Sequence, residues 1–215
     1  MAQIFPKWTN QLPLYIVIAV LFLLVGTVGF FWYYGSPYYT DVGYRPVQPI
    51  PYSHKLHAGD LGMDCRYCHT GVEVTHTAGV PPTQTCLNCH RVIKPDSEKI
   101  IPIQKSWDTN TPIQWVRVHK TPDYAYFDHS IHINANVGCA SCHGRIDQMD
   151  VVTQVQPLSM KWCLDCHRNP APHLRPDSDV TNMNWVPGLN QLELATAMIS
   201  EHNINPPTDC SGCHR

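Results

Sequence analysis

The stretch HKLHAGDLGMDCRYCH, running from His54 to His69, ends in Cys65-Arg66-Tyr67-Cys68-His69, which has the spacing of a c-type haem attachment sequence. A porphyrin takes four of the six positions on its iron, and His69 would take a fifth. One position is left for two upstream histidines, His54 and His57. The same signature recurs until the cysteines are used up. All ten fall in five C-x-x-C-H copies: Cys65 to His69, Cys86 to His90, Cys139 to His143, Cys163 to His167 and Cys210 to His214. A disulfide scaffold would not place a histidine after every pair. Zinc sites have no need of that histidine, and five pairs cannot combine evenly into four-ligand sites. Thioredoxin-like chemistry needs one C-x-x-C beside a βαβ pattern.

The spacing has a chemical reason. Two thiols add to the vinyl groups on one edge of a haem, and the next residue swings its imidazole under the iron. The expected cofactor is five covalently bound haem c, held by Cys65, Cys68, Cys86, Cys89, Cys139, Cys142, Cys163, Cys166, Cys210 and Cys213. Proximal iron ligands would be His69, His90, His143, His167 and His214. Such centres shuttle single electrons, with ligand identity and burial setting their potential.

Upstream, the chain carries no charge between Lys7 and Asp41, and its apolar centre LPLYIVIAVLFLLVGTVGFFWYY spans Leu12 to Tyr34. At about 1.5 Å per residue, such a run crosses a hydrocarbon core of about 30 Å. Trp8 at one end and Trp32, Tyr33 and Tyr34 at the other suit the two interfaces. The run is too long for a cleaved signal peptide, and no small-residue cleavage site follows it. An uncleaved single-pass anchor in a bacterial inner membrane is expected. Haem attachment occurs outside the cytoplasm, so residues 1–11 would be a cytoplasmic tail and the haem domain periplasmic. A net charge of −2 gives no reason to expect nucleic acid as a partner.

Beyond a Tyr- and Pro-rich stretch at 35–51, expected to be an extended linker, the chain repeats itself. His54-x2-His57-x7-Cys65 is echoed by His129-x2-His132-x6-Cys139, and CLNCHR at Cys86 by CLDCHR at Cys163. The offsets are 75, 74 and 77 residues for the histidine pairs, the first motifs and the second motifs. We read two two-haem modules, 52–95 and 123–170, joined by an irregular bridge at 96–122 and followed by a segment, 171–215, with the fifth motif. A helix is expected at Asn190 to His202, capped by Asn190 with Glu193, its apolar face made by Leu192, Leu194, Ala195, Met198 and Ile199. From residue 41 onward, 175 residues serve five motifs. The fold class expected is a multihaem cytochrome c of short helices and loops wrapped around haems, plus one N-terminal transmembrane helix.

Thirteen histidines less the five in motifs leave eight for the sixth positions. His54, His57, His129 and His132 are expected distal ligands, because both repeats keep the pair; His119 and His173 are further candidates. His76 and His202 are read as bystanders. Met63, Met149 and Met160 are weaker alternatives. One histidine of each upstream pair can complete its own module's first haem, and the other must reach a different iron, most simply the module's second. Spacing alone leaves open which does which.

The paired histidines resemble the small multihaem cytochromes of the c3/c7 class. The stretches SHKLHAGDLGMDCRYCHTGVE, WVRVH, HINANVGCASCHGRIDQM and PLSMKWCLDCHRNPAPHLRP resemble the pentahaem cytochrome c subunit of bacterial alternative complex III, a membrane quinol oxidoreductase. The likeness implies an iron–sulfur, molybdopterin-oxidoreductase-type partner, polytopic quinol-binding membrane subunits, other cytochrome c subunits and delivery toward a periplasmic cytochrome c or a terminal oxidase. It also places His119 and His173 in recurring motifs. On this reading the chain is an electron-transfer subunit without its own catalytic site. The alternatives are a stand-alone membrane-anchored quinol dehydrogenase, which needs a quinol pocket, and a multihaem reductase, which needs an open iron.

Overall fold

The computed structural model describes residues 4–214 and divides after Asp41 into two units. In the N-terminal unit a 3-10 turn, Lys7–Gln11, leads into helix α1, Leu12–Tyr34. Apolar side chains surround α1 on every side, and none is buried within the unit. That distribution suits a lipid solvent and fits no amphipathic surface helix. From Lys7 to Tyr34 the helical stretch is long and apolar enough to cross a membrane. Gly35 stops it, its N–H bonding back to the Phe31 carbonyl at 2.9 Å. A single helical turn follows, α2, Pro37–Thr40, where an extended linker was expected. Pro37 occupies the first turn, where a missing N–H costs nothing, and Tyr39 folds back on Tyr34 with ring centroids 4.6 Å apart.

The second unit begins at Val42. Its helices are α3, Cys65–Cys68; α4, Thr83–His90; α5, Ile101–Asp108; α6, His129–Asn134; α7, Ala140–His143; α8, Met160–Arg168; and α9, Gln191–Glu201. Among the described residues there is no strand, only isolated antiparallel bridges at Ala125–His214 and Val137–Leu174. Each attachment motif lies on a helical turn, which brings cysteines three apart onto one face. Local caps set these turns. Asp64, Asp128 and Ser159 accept the exposed N–H groups of Arg66, Ser130 and Trp162 at the starts of α3, α6 and α8.

The rest of the expected linker is also docked. Gly43 and Gln154 are tied by a bond from the Gly43 N–H to the Gln154 carbonyl, and the Gln154 N–H donates to Tyr44. The Gln48 amide both donates to and accepts from the Val116 backbone, each at 2.9 Å. The bridge is not wholly irregular, since it holds α5. There Ile100 and Ile103 meet Ile50 from the linker and Leu87 from α4 in one apolar cluster. Leu174, Ala171, Ala195 and Met198 make a second cluster that seats α9. The cap expected for α9 is not formed: Asn190 has near-helical angles and no side-chain capping bond. Leu192, expected on the apolar face, is 72% exposed, because the seam against the 171–174 turn is narrow and takes only Leu194, Ala195, Met198 and Ile199.

The two histidine pairs ride on different turns. His57 lies in a π-helical turn, Lys55–Asp60, and His132 in α6. Module one has one residue more between its second histidine and first cysteine, and a wider turn absorbs a single inserted residue. This turn packs on a 3-10 turn of module two, Ile146–Gln148, with the Lys55 N–H bonded to the Met149 carbonyl at 3.0 Å. Gly59 makes the approach feasible, since a Cβ there would run into the Asp147 carbonyl. Replacing Gly59 with Ala should destabilise the folded domain by about 1–3 kcal/mol through overpacking, read as a lower denaturation midpoint. An unchanged midpoint would show that the turn is not seated this closely.

Candidate haem-attachment sites

The structure sets four motif histidines face to face with four upstream ones. The rings of His54 and His69 lie 6.4 Å apart and 1° from parallel, and those of His129 and His143 lie 6.4 Å apart at 12°. His57 stands 6.2 Å from His90, and His132 stands 6.0 Å from His167. These distances are too long for direct stacking. They match two imidazoles bridged by one ion, with a metal–nitrogen bond of about 2 Å on each side plus the depth of each ring. The first histidine of each pair faces its module's first motif, and the second faces the module's second motif.

Hydrogen bonds show which nitrogen of each ring is available. Nδ1 of His57, His69, His90 and His129 bonds to the carbonyls of Ser53, Gly79, Ile93 and His76. Nδ1 of His132, His167 and His214 bonds to those of Asp128, Pro207 and Tyr124. The seven distances run from 2.6 Å for His167 to 3.0 Å for His90, His129 and His214. A carbonyl can only accept, so each Nδ1 carries the proton and each Nε2 presents its lone pair. Metal-binding histidines are oriented in this way by their second nitrogen. The donor set therefore fits covalent haem with imidazole on both faces.

An aromatic residue not singled out in the sequence supports each pair. Tyr52 stacks on His57 at 4.5 Å and meets His54 edge-on at 4.9 Å; Phe127 contacts His132 at 4.6 Å and His129 at 4.7 Å. The signal was available: an aromatic two positions ahead of each pair, at the same 75-residue offset.

His119 does not stand opposite a motif histidine at this spacing. It packs edge-on against His143 at 4.4 Å, with its Nε2 buried and unpartnered. His173 is half-buried, its carbonyl accepting the Gly138 N–H. Among the described residues no imidazole faces His214 at such a distance, and its ring neighbour is Tyr124 at 5.8 Å. His76 and His202 are exposed, as is Met160, while Met63 and Met149 are half-buried.

All ten cysteines are among the described residues, and none is joined to another by a disulfide. Their mutual influence gives the order of the sites in space. Burial raises Cys68, and Cys86 and Cys65 add to it, placing the second site beside the first. Cys65 and Cys139 act on each other across the modules, which raises Cys65 and lowers Cys139. Burial pushes Cys142 up to about 12, with Cys166 and Cys163 contributing, and Cys213 acts in turn on Cys163. By these pairwise influences the sites adjoin in the order second, first, third, fourth, fifth. Cys89 and Cys210, the two exposed cysteines, belong to its two ends.

Residues 125–215 match the family model for cytochrome c7 and related cytochrome c. The fold is that of a multihaem cytochrome. A curated relative, the multiheme cytochrome c subunit of menaquinone reductase from Nitratidesulfovibrio vulgaris (strain Hildenborough), is 32% identical over 122 residues. The aligned region is 56% of this chain and 55% of the relative, so the cytochrome spans about half the length of the curated protein it matches.

Burial holds several imidazoles neutral: it lowers His54 and His119 to about 4, and His143 to about 3 with help from His119 and His129. The unfolded chain takes up protons at the ordinary 6.5, before these folded groups do. Their contribution to stability is complete above 6.5 and is lost as pH falls toward about 4.

Proposed function

We propose that this chain is a membrane-anchored pentahaem electron-transfer subunit, without a catalytic site of its own, in a quinol-oxidising respiratory complex of the alternative complex III type. The observation that carries the reading is the set of four opposed imidazole pairs at 6.0–6.4 Å, belonging to neighbouring sites in a single row. Covalently bound c-type haem supplies a one-electron iron centre at each motif. The protein contributes position. His69, His90, His143 and His167 would each hold an iron together with the facing His54, His57, His129 and His132. His214 would hold the fifth site, and His119 and His173 remain candidate distal ligands that the resemblance supports. Tyr52 and Phe127 fix each upstream pair so that two adjacent sites keep a constant separation.

The likeness to a menaquinone reductase subunit supports a quinone-linked assembly, and the resemblance of PLSMKWCLDCHRNPAPHLRP and its companion stretches supports the narrower assignment. The complex would supply an iron–sulfur, molybdopterin-oxidoreductase-type subunit, polytopic quinol-binding subunits and other cytochromes. Electrons would leave toward a periplasmic cytochrome c or a terminal oxidase. Attachment of c-type haem outside the cytoplasm puts the domain in the periplasm and the N-terminus inside.

Gentle detergent extraction should recover the chain with those subunits, and the intact mass should show five covalent haem additions. Recovery of this chain alone, reduced rapidly by a quinol analogue, would instead make it a stand-alone quinol dehydrogenase. Within the row, His57→Ala should convert one low-spin haem to high spin in the electron paramagnetic resonance spectrum while all five remain attached. A spectrum identical to wild type would remove His57 from the ligand set.

A further inference from the structure

The duplication gives the first and third sites the same basic equipment, with Nδ1 held on the motif histidine at the first site and on the upstream histidine at the third. Each has the same motif, an upstream histidine 6.4 Å from the motif histidine, and an aromatic brace. The two sites adjoin: Asp64, next to Cys65, accepts from Thr181 at 2.8 Å, and the Cys139 N–H donates to the neighbouring Val180 carbonyl at 3.1 Å. Equal sites that adjoin would exchange an electron with no preferred direction, so any bias must come from their surroundings. The surroundings differ at the residue ahead of the first cysteine, which is Asp64 in module one and Gly138 in module two.

Gly138 is buried, and the Nε, Cζ and Cδ atoms of Arg175 fill the volume that a Cβ would need. Arg175 is itself 6% exposed. Its Nη1 donates to the Asn182 carbonyl at 2.8 Å, its guanidinium lies 4.9 Å from the centre of the Trp185 ring, and its Nε has no partner. Among the described residues no carboxylate forms an ion pair with it. Asp179 acts on it from farther away, and the Asp177 carboxylate accepts from Asn136. An arginine does not lose its proton in a protein, so this is a permanent buried charge beside Cys139. Module one presents the reverse. Asp64 is paired with Arg66, which also binds Glu73, and all three side chains are more than 40% exposed, where water and salt screen them.

We propose that Arg175 holds the third site at a higher reduction potential than the first, so that electrons crossing between the modules move from module one to module two. The inference rests on the haem reading above. When an electron leaves the first site, its iron is oxidised; when it arrives at the third, iron(III) becomes iron(II). That arrival lowers the positive charge facing an unchanged guanidinium. A nearby cation therefore stabilises the reduced state, and burial strengthens the effect by removing solvent screening.

The test is a redox titration of the detergent-solubilised full chain with Arg175→Met, Arg175→Gln and Arg175→Lys. Met keeps most of the volume against Trp185, and a buried charge replaced by an apolar group of similar size generally leaves a folded protein. One midpoint potential should fall in the Met and Gln variants and stay near wild type in Lys, with the low-spin signals of all variants unchanged. In a His129→Ala background, where a high-spin signal marks the third site, the shift should follow that signal. Gly138→Ala, which displaces the guanidinium, should lower the same potential. Unmoved potentials in both neutral variants, or an equal fall in Lys and Met, would overturn the proposal. A wild-type chain without low-spin haem would overturn the haem reading instead.

Discussion

An imidazole is aimed at a metal most firmly when its other nitrogen is committed, and in seven of the nine proposed ligands that commitment is made to a backbone carbonyl, the Nδ1 of His54 and of His143 having no partner. Seven histidines depend on it, and the acceptors are scattered: Gly79 is ten residues from His69, Pro207 is forty from His167, and Tyr124 is ninety from His214. A carbonyl inside a helix is already taken by the N–H four residues on. Carbonyls that can accept from a side chain are found where regular structure stops. The scarcity of long helices and the absence of strands among the described residues follow from this need. Loops are the part of the fold that aims the rings.

The two modules show how much of this arrangement survives change. The second histidine of each pair donates to the carbonyl four residues before it, Ser53 in one case and Asp128 in the other. The aromatic brace changes from Tyr52 to Phe127, and the turn from π to α, without altering which motif each histidine faces. What differs sharply is the charge beside the first cysteine. Duplication thus supplies two copies of one geometry, and single substitutions around them give each copy its own electrostatic surroundings.

Chemistry was more legible in the sequence than shape. C-x-x-C-H is a local constraint and can be read directly, and so can an apolar run long enough to span a bilayer. The paired histidines announced the duplication, yet which of His54 and His57 faces which motif depends on how two turns are wound, and spacing does not carry that. Helix α5 lay hidden in a proline-rich bridge because its stability comes from Ile50 and Leu87, residues distant in sequence. Asn190 looked like a cap, but the chain enters α9 at an angle that leaves its side chain unused. Arg175 gave no local signal at all, since its role depends on a glycine 37 residues earlier.

The distribution of apolar packing says which part of the row the polypeptide can hold unaided. One cluster braces α4 at the second site, and the other seats α9 on the turn that follows the fourth motif. The first and third sites, in the middle, are joined mainly by polar ties: Ser53 to Asp150 at 2.8 Å, Thr181 to Asp64 at 2.8 Å, and the Cys139 N–H to the Val180 carbonyl at 3.1 Å. Helices α3, α6 and α7 around them have four to six residues, far below the length at which a helix is stable by itself. Covalent attachment must therefore contribute more to order at the centre than at the flanks. The junction between the modules, which the proposed electron path crosses from one copy to the other, is also where cofactor and fold would be most dependent on each other.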